Sequence, residues 1–191
     1  IYQALNQPDK ALEAHLKAID LNPDSIVEQR LFSLPVVGFL ESRLNFYINS
    51  GQIGHLLSAL ASKEYKNFSI HYAIGSIYLQ QEKYDEAMVQ FQRAVELKSD
   101  DLSSHIALGY IYAQQGQLEK AAQEFQHCVE IAPDDLVSHR NLGGVYRQMG
   151  RLEEARAEFE RAAAIAPNDL ITYQNLAEVY RQLGLNEEAI R

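Results

Sequence analysis

Six histidines (His15, His55, His71, His105, His127 and His139) and one cysteine, Cys128, are the residues of this chain best suited to metal binding or nucleophilic chemistry. A zinc site needs ligands converging on one point. His71, His105 and His139 instead recur at a fixed interval, and equivalent positions in a helical stack lie about a helix diameter apart. That spacing predicts packing: each ring is wedged between helices with one nitrogen bonded. Cys128 adjoins His127, but neighbouring positions on a helix do not face each other. Cys128 stands where Ala94 and Ala162 stand in the flanking units, which predicts a small buried side chain. A lone cysteine makes no internal disulfide. There is no GxSxG, HExxH or Walker-type loop. The expectation is a protein that is not an enzyme, with no catalytic residue, metal or cofactor.

A second set of residues suits recognition. Arg140, Arg147 and Arg181 carry guanidinium forks that can grip a carboxylate bidentately. Asn141 and Asn175, one repeat apart, carry amides that donate to and accept from a peptide bond at once, and so can hold a backbone without reading its sequence. Gln174 and Glu178 accompany them, and Tyr72, Ile106 and Tyr110 offer an apolar end. These residues form one site only if a regular element brings them to one face.

That element is a repeat. From Leu102 to Asp135, the residues Leu102, His105, Leu108, Gly109 and Tyr112 fall at helical spacing. Gly116 interrupts, Leu118, Ala121, Phe125, Cys128 and Ile131 resume the rhythm, and Pro133 ends it. The pattern returns 34 residues later with Leu142, Gly143, Tyr146, Gly150, Ala155, Phe159, Ala162 and Pro167. A fixed period of this kind means stacked copies of one helix pair. The units are 68–101, 102–135, 136–169 and a truncated 170–191. In the first, Glu82 and Ser99 replace the turn glycine and the proline. Asp101, Asp135 and Asp169 are placed to cap the first helices. Small residues at Gly75, Gly109 and Gly143, facing Ala87, Ala121 and Ala155, predict close approach within each pair. Residues 1–23 read as a partial repeat, through Ala11, His15, Ala18 and Pro23. Residues 24–67 read as an irregular, degenerate helical segment kinked at Pro35. The whole of 1–191 is read as one array fragment whose natural chain continues on both sides.

These residues resemble the tetratricopeptide repeat family, whose W-x2-L-G-x2-Y…A-x3-F…P pattern reads here as H-x2-L-G-x2-Y…A-x3-F…P. The resemblance implies an all-α, right-handed superhelical solenoid of antiparallel helix pairs. It further implies that the first helices line a concave groove that binds a peptide or an extended protein segment. The groove then runs from apolar (Tyr72, Ile106, Tyr110) to arginine and amide (Arg140, Asn141, Arg147, Gln174, Asn175, Glu178, Arg181). The asparagine pair is similar to the ladder in the repeats of O-linked N-acetylglucosamine transferases. The arginines are similar in kind to the carboxylate clamps of chaperone-binding members, although that set is not reproduced as a whole.

With 47% hydrophobic residues in 191, the chain can bury a sizeable core, and its net charge of −9 argues against nucleic acid and anionic membrane as partners. No run approaches the ~18 apolar residues of a membrane span, and the cytoplasm is the default location. A protein or peptide ligand, acidic or C-terminal, is the expected partner. Two other readings stay open: the arm of a larger enzyme such as a glycosyltransferase, and a scaffold that self-associates through uncovered ends.

Overall fold

A computed structural model describes residues 68–185; the expectations for 1–23, 24–67 and the last residues of the chain lie outside the described residues. The chain divides into two compact units, Ile1–Ser99 and Asp100–Arg191. The first contributes one described helix pair, α1 (Phe68–Gln80) and α2 (Tyr84–Leu97). The second contributes α3 (Leu102–Gln114), α4 (Leu118–Ile131), α5 (Leu136–Gln148), α6 (Leu152–Ile165) and α7 (Leu170–Gln182). The described residues hold no strand. No described helix is long and apolar enough to cross a membrane. Both units are all-α among the described residues.

Sequence chemistry sets each boundary. The carboxylates of Asp101, Asp135 and Asp169 accept hydrogen bonds from the backbone N–H of Ser104, Ser138 and Thr172 at 3.0, 2.7 and 2.9 Å. Each also accepts from the hydroxyl of the same residue. Helices α3, α5 and α7 thus start at the expected caps. Each first helix ends in a left-handed residue: Gly116, Gly150 and Gly184 have φ of 72, 75 and 77°. The chain then closes back with a hydrogen bond to the tyrosine carbonyl of the same helix, from Gln117 to Tyr112, Arg151 to Tyr146 and Leu185 to Tyr180, each at 2.9 Å. In the first pair Glu82 takes this left-handed place (φ 57°) and Lys83 closes on Tyr78 at 3.0 Å. The turn geometry is kept without glycine, at a cost of about 1 kcal/mol. Second helices lack side-chain caps but open on acidic residues such as Asp85, Glu119 and Glu153, which suit the positive end of the helix dipole.

Within each pair the phenylalanine ring of the second helix lies on the glycine of the first. A Cβ on Gly75, Gly109 or Gly143 would come within 2.9, 2.8 and 3.0 Å of the rings of Phe91, Phe125 and Phe159. The small residue therefore makes room for a ring rather than for backbone. Ala87, Ala121 and Ala155 are fully buried. In the second unit α3 packs on α4, α4 on α5, α5 on α6, and α6 on α7, with α7 also touching α5. Phe125, Ala121 and Ala122 join Leu142 and Val145 in one core; Ala155 and Phe159 join Leu176 and Val179 in the next. Tyr146 borders both cores, so within the second unit no pair buries its apolar face without its neighbour.

Candidate functional site

The histidines belong to the frame. His71 Nδ1 lies 2.9 Å from Gln90 Oε1, His105 Nδ1 2.7 Å from Glu124 Oε2, and His139 Nδ1 2.6 Å from Glu158 Oε2. Each bond ties the first helix of a pair to its second. His139 goes beyond the single-bond expectation: its Nε2 also lies 2.8 Å from the carbonyl oxygen of Pro133. The proline turn that ends α4 carries that carbonyl to the ring. His105 stacks edge-on against His127, with centroids 4.5 Å apart. No group of three or more potential ligands converges as a metal site among the described residues.

Cys128 is buried, with Sγ 3.9 Å from the Leu102 carbonyl oxygen. Burial first, and then the nearby Glu124 carboxylate, push its thiol up to about 12. The native protein should therefore react with a thiol reagent at neutral pH roughly a thousandfold more slowly than an unfolded chain. Stopped-flow thiol titration with and without denaturant measures this ratio, and comparable rates would contradict the burial.

The recognition residues lie on the first helices, outside the buried stripe. On α3 that stripe is Ser104, His105, Leu108, Gly109 and Ile111; on α5 it is Ser138, His139, Leu142, Gly143 and Val145. Ile106 and Tyr110, then Arg140, Asn141 and Arg147, then Gln174, Asn175, Glu178 and Arg181 fall beside these stripes, partly or well exposed. The period aligns them in rows along the second unit: Ile106, Arg140, Gln174; Ala107, Asn141, Asn175; Tyr110, Gly144, Glu178; Ala113, Arg147, Arg181. Gly144 leaves a notch, since a Cβ there would meet nothing within 4 Å. Ile106 also packs on the core, whereas Tyr110 is 44% exposed. Tyr72 lies in the first unit, tilted against Phe91 at 5.7 Å.

Partnerships separate the three arginines. Arg140 reaches Asp169 at 3.3 Å, and both side chains are largely covered. It thus ties α5 to the cap of α7. This tie was not legible in the sequence, where Asp169 reads as a cap alone; a carboxylate has acceptor sites enough for both roles. Arg181 bonds Glu178 through Nε and Nη2 at 2.9 and 2.6 Å. Gln182 donates to the same carboxylate at 2.6 Å. The Arg181 bond, then that of Gln182, holds the Glu178 carboxyl down to about 2, with a smaller contribution from the charge of Arg147. Arg147 itself makes no ion pair within 4 Å among the described residues. Of the two asparagines, Asn175 donates to the Ile171 carbonyl at 2.9 Å, while the Asn141 amide has no such bond among the described residues. The positive charge and the amide least committed to the fold therefore both sit on α5.

Comparison with known proteins identifies the repeat. A family profile described as "TPR repeat" matches residues 75–116, and profiles described as "Tetratricopeptide repeat" match 134–191, 1–25 and 102–135. No curated protein matches the sequence. Among solved structures, the chain is similar to MamA with a TM-score of 0.69 at 20% identity, over 75% of this chain and 86% of that one. It is similar to the first TPR of Spaghetti (RPAP3), a structure bound to the HSP90 peptide SRMEEVD, with a TM-score of 0.61 at 18% identity, over 63% of this chain and 96% of that one. The Arabidopsis OM64 TPR domain gives 0.59 at 13% identity, over 61% and 97%. At these identities the likeness is one of fold.

Proposed function

Because the chain belongs to the tetratricopeptide repeat family, we propose that it is a non-catalytic protein-interaction module whose first helices bind an extended, acidic segment of another protein. The observation that carries this reading is the row of outward residues on α3, α5 and α7, with Arg147 and Asn141 uncommitted at its centre. Asn141 holds a peptide unit of the ligand. Arg147 grips a carboxylate, a side chain's or a C-terminal one, and Arg181 joins once it exchanges Glu178 for the ligand. Gly144 lets the ligand backbone approach α5, and Ile106 with Tyr110 receives an apolar side chain. The bound peptide of the RPAP3 structure, with its two glutamates and its terminal aspartate, is a ligand of the same chemistry on a similar fold. Arg140 orders the face and does not grip, because Asp169 already occupies it.

Fluorescence anisotropy with a labelled SRMEEVD peptide tests the reading. The double variant Arg147→Glu/Arg181→Glu is expected to bind at least about tenfold more weakly, since each charge-assisted bond contributes roughly 1.5–3 kcal/mol. Its helix content and unfolding midpoint should stay near those of the parent, because neither arginine supports the core. Affinity unchanged by the double substitution would remove the carboxylate grip.

A further inference from the structure

On the second unit, away from those rows, lies a cleft of about 520 Å³ between α4 and the end of α5, with Ala122, Tyr146 and Met149 at its base and Glu119, Gln126 and Glu130 along its rim. The protein shows within its own chain what such a cleft accepts. One period later, Glu119, Ala122, Gln126, Tyr146 and Met149 become Glu153, Arg156, Glu160, Tyr180 and Leu183. There the arginine of α6 runs along the helix, 2.9 Å from Glu153 and 3.6 Å from Glu160. Glu160 in turn accepts from the Tyr180 hydroxyl at 3.0 Å, which joins the arginine to α7. The Nε of Arg156 is buried and makes no hydrogen bond among the described residues, so Glu153 holds the guanidinium by a direct bond and Glu160 by charge alone. In α4 the corresponding residue is Ala122, so the volume is vacated.

The charges left behind match what is missing. Glu119 makes no ion pair among the described residues. Glu130 adds a second carboxylate where α6 has Ala164, and its neighbour His127 is 3.5 Å away. The one arginine at the rim, Arg151, bonds Glu154 and lies over the Tyr146 ring at 4.4 Å. Lys120 lies over Tyr112 instead. We propose that this cleft is a docking pocket for an arginine side chain of a partner protein, which takes on Glu119 and Gln126 the place that Arg156 takes on Glu153 and Glu160. A guanidinium fork can bond at both ends of that span, whereas the compact ammonium of lysine reaches only one. The partner therefore carries an exposed arginine, and it docks independently of a ligand on the first-helix face.

The test is a titration of the isotope-labelled full chain with acetyl-arginine methylamide, read by amide chemical shifts. Shifts should cluster on Glu119, Ala122, Gln126 and Met149. Acetyl-citrulline methylamide, isosteric and uncharged, should bind at least about fivefold more weakly, as should the parent probe to the Glu119→Gln variant. Ala122→Arg should fill the cleft from within and abolish the clustered shifts, while Arg147→Glu leaves them unchanged. Equal response to citrulline, shifts undiminished by Glu119→Gln, or shifts that fall instead along Asn141 and Arg147 would each overturn the proposal. So would the absence of any saturable shift. If Ala122→Arg fails to fold, the citrulline and Glu119→Gln arms still decide.

Discussion

Phe159→Ala is expected to destabilise the second unit by about 3–5 kcal/mol, the range for truncating a fully buried phenylalanine. The ring is completely excluded from solvent, lies on Gly143, and shares a core with Ala155, Leu176 and Val179. Truncation empties the space that the glycine was small enough to leave, and two rigid helices cannot close over it. Chemical unfolding followed by circular dichroism measures the loss; a change below about 1 kcal/mol would mean that the helices collapse freely, contrary to the packing described. Gly143→Ala approaches the same contact from the other side. Its new methyl would stand 3.0 Å from Cε1 of the ring, and a cost of about 1–3 kcal/mol is expected. Because the two positions share one volume, Gly143→Ala combined with Phe159→Leu should cost less than the sum of the single changes.

His139→Ala is the second large effect, at about 2–4 kcal/mol. The side chain is 1% exposed, and both ring nitrogens face acceptor oxygens, those of Glu158 and Pro133. Its removal leaves a cavity, a carboxylate without its partner and a carbonyl without a donor. Glu158→Gln should be far milder, below about 1 kcal/mol. The protein already uses that pairing in its first described pair, where His71 meets Gln90. The contrast is measurable by thermal unfolding of the two variants side by side. A mild His139→Ala and a severe Glu158→Gln would show that the carboxylate, and not the ring, organises the site.

The array was legible in the sequence because its signature is made of residues with one structural use each. Gly109 must be small beneath Phe125, Gly116 must turn, and Asp101, Asp135 and Asp169 must cap. The buried histidines were legible too, since a residue recurring at one framework position is set by packing. The pairing of long side chains was not. Arg140 and Asp169 are far apart in sequence and meet only because α5 and the α7 cap are neighbours in the stack. The left-handed Glu82 was visible as a missing glycine, but not the fact that the turn keeps its shape. The cleft beside Ala122 was invisible for a further reason: a void depends on what several elements fail to fill. The division of labour among Arg140, Arg147 and Arg181 likewise needed rotamers, which no periodicity carries.

The histidine ties and the glycine–phenylalanine contacts have a joint mechanical consequence. In each pair the histidine and the glycine sit one turn apart on the first helix, and they meet adjacent residues of the second: Gln90 with Phe91, Glu124 with Phe125, Glu158 with Phe159. One contact is directional and polar; the other is steric. Two packed helices can slide along each other and spin about their own axes, and a pair of locating points of different kind removes both freedoms. Sliding by one turn would set the histidine ring where the phenylalanine belongs and strand a polar group. The alignment of a pair therefore does not depend on its outward residues. Tyr110, Gly144 and Glu178 occupy the same position in three successive copies, and each can change character without disturbing the contacts that align the helices beneath it.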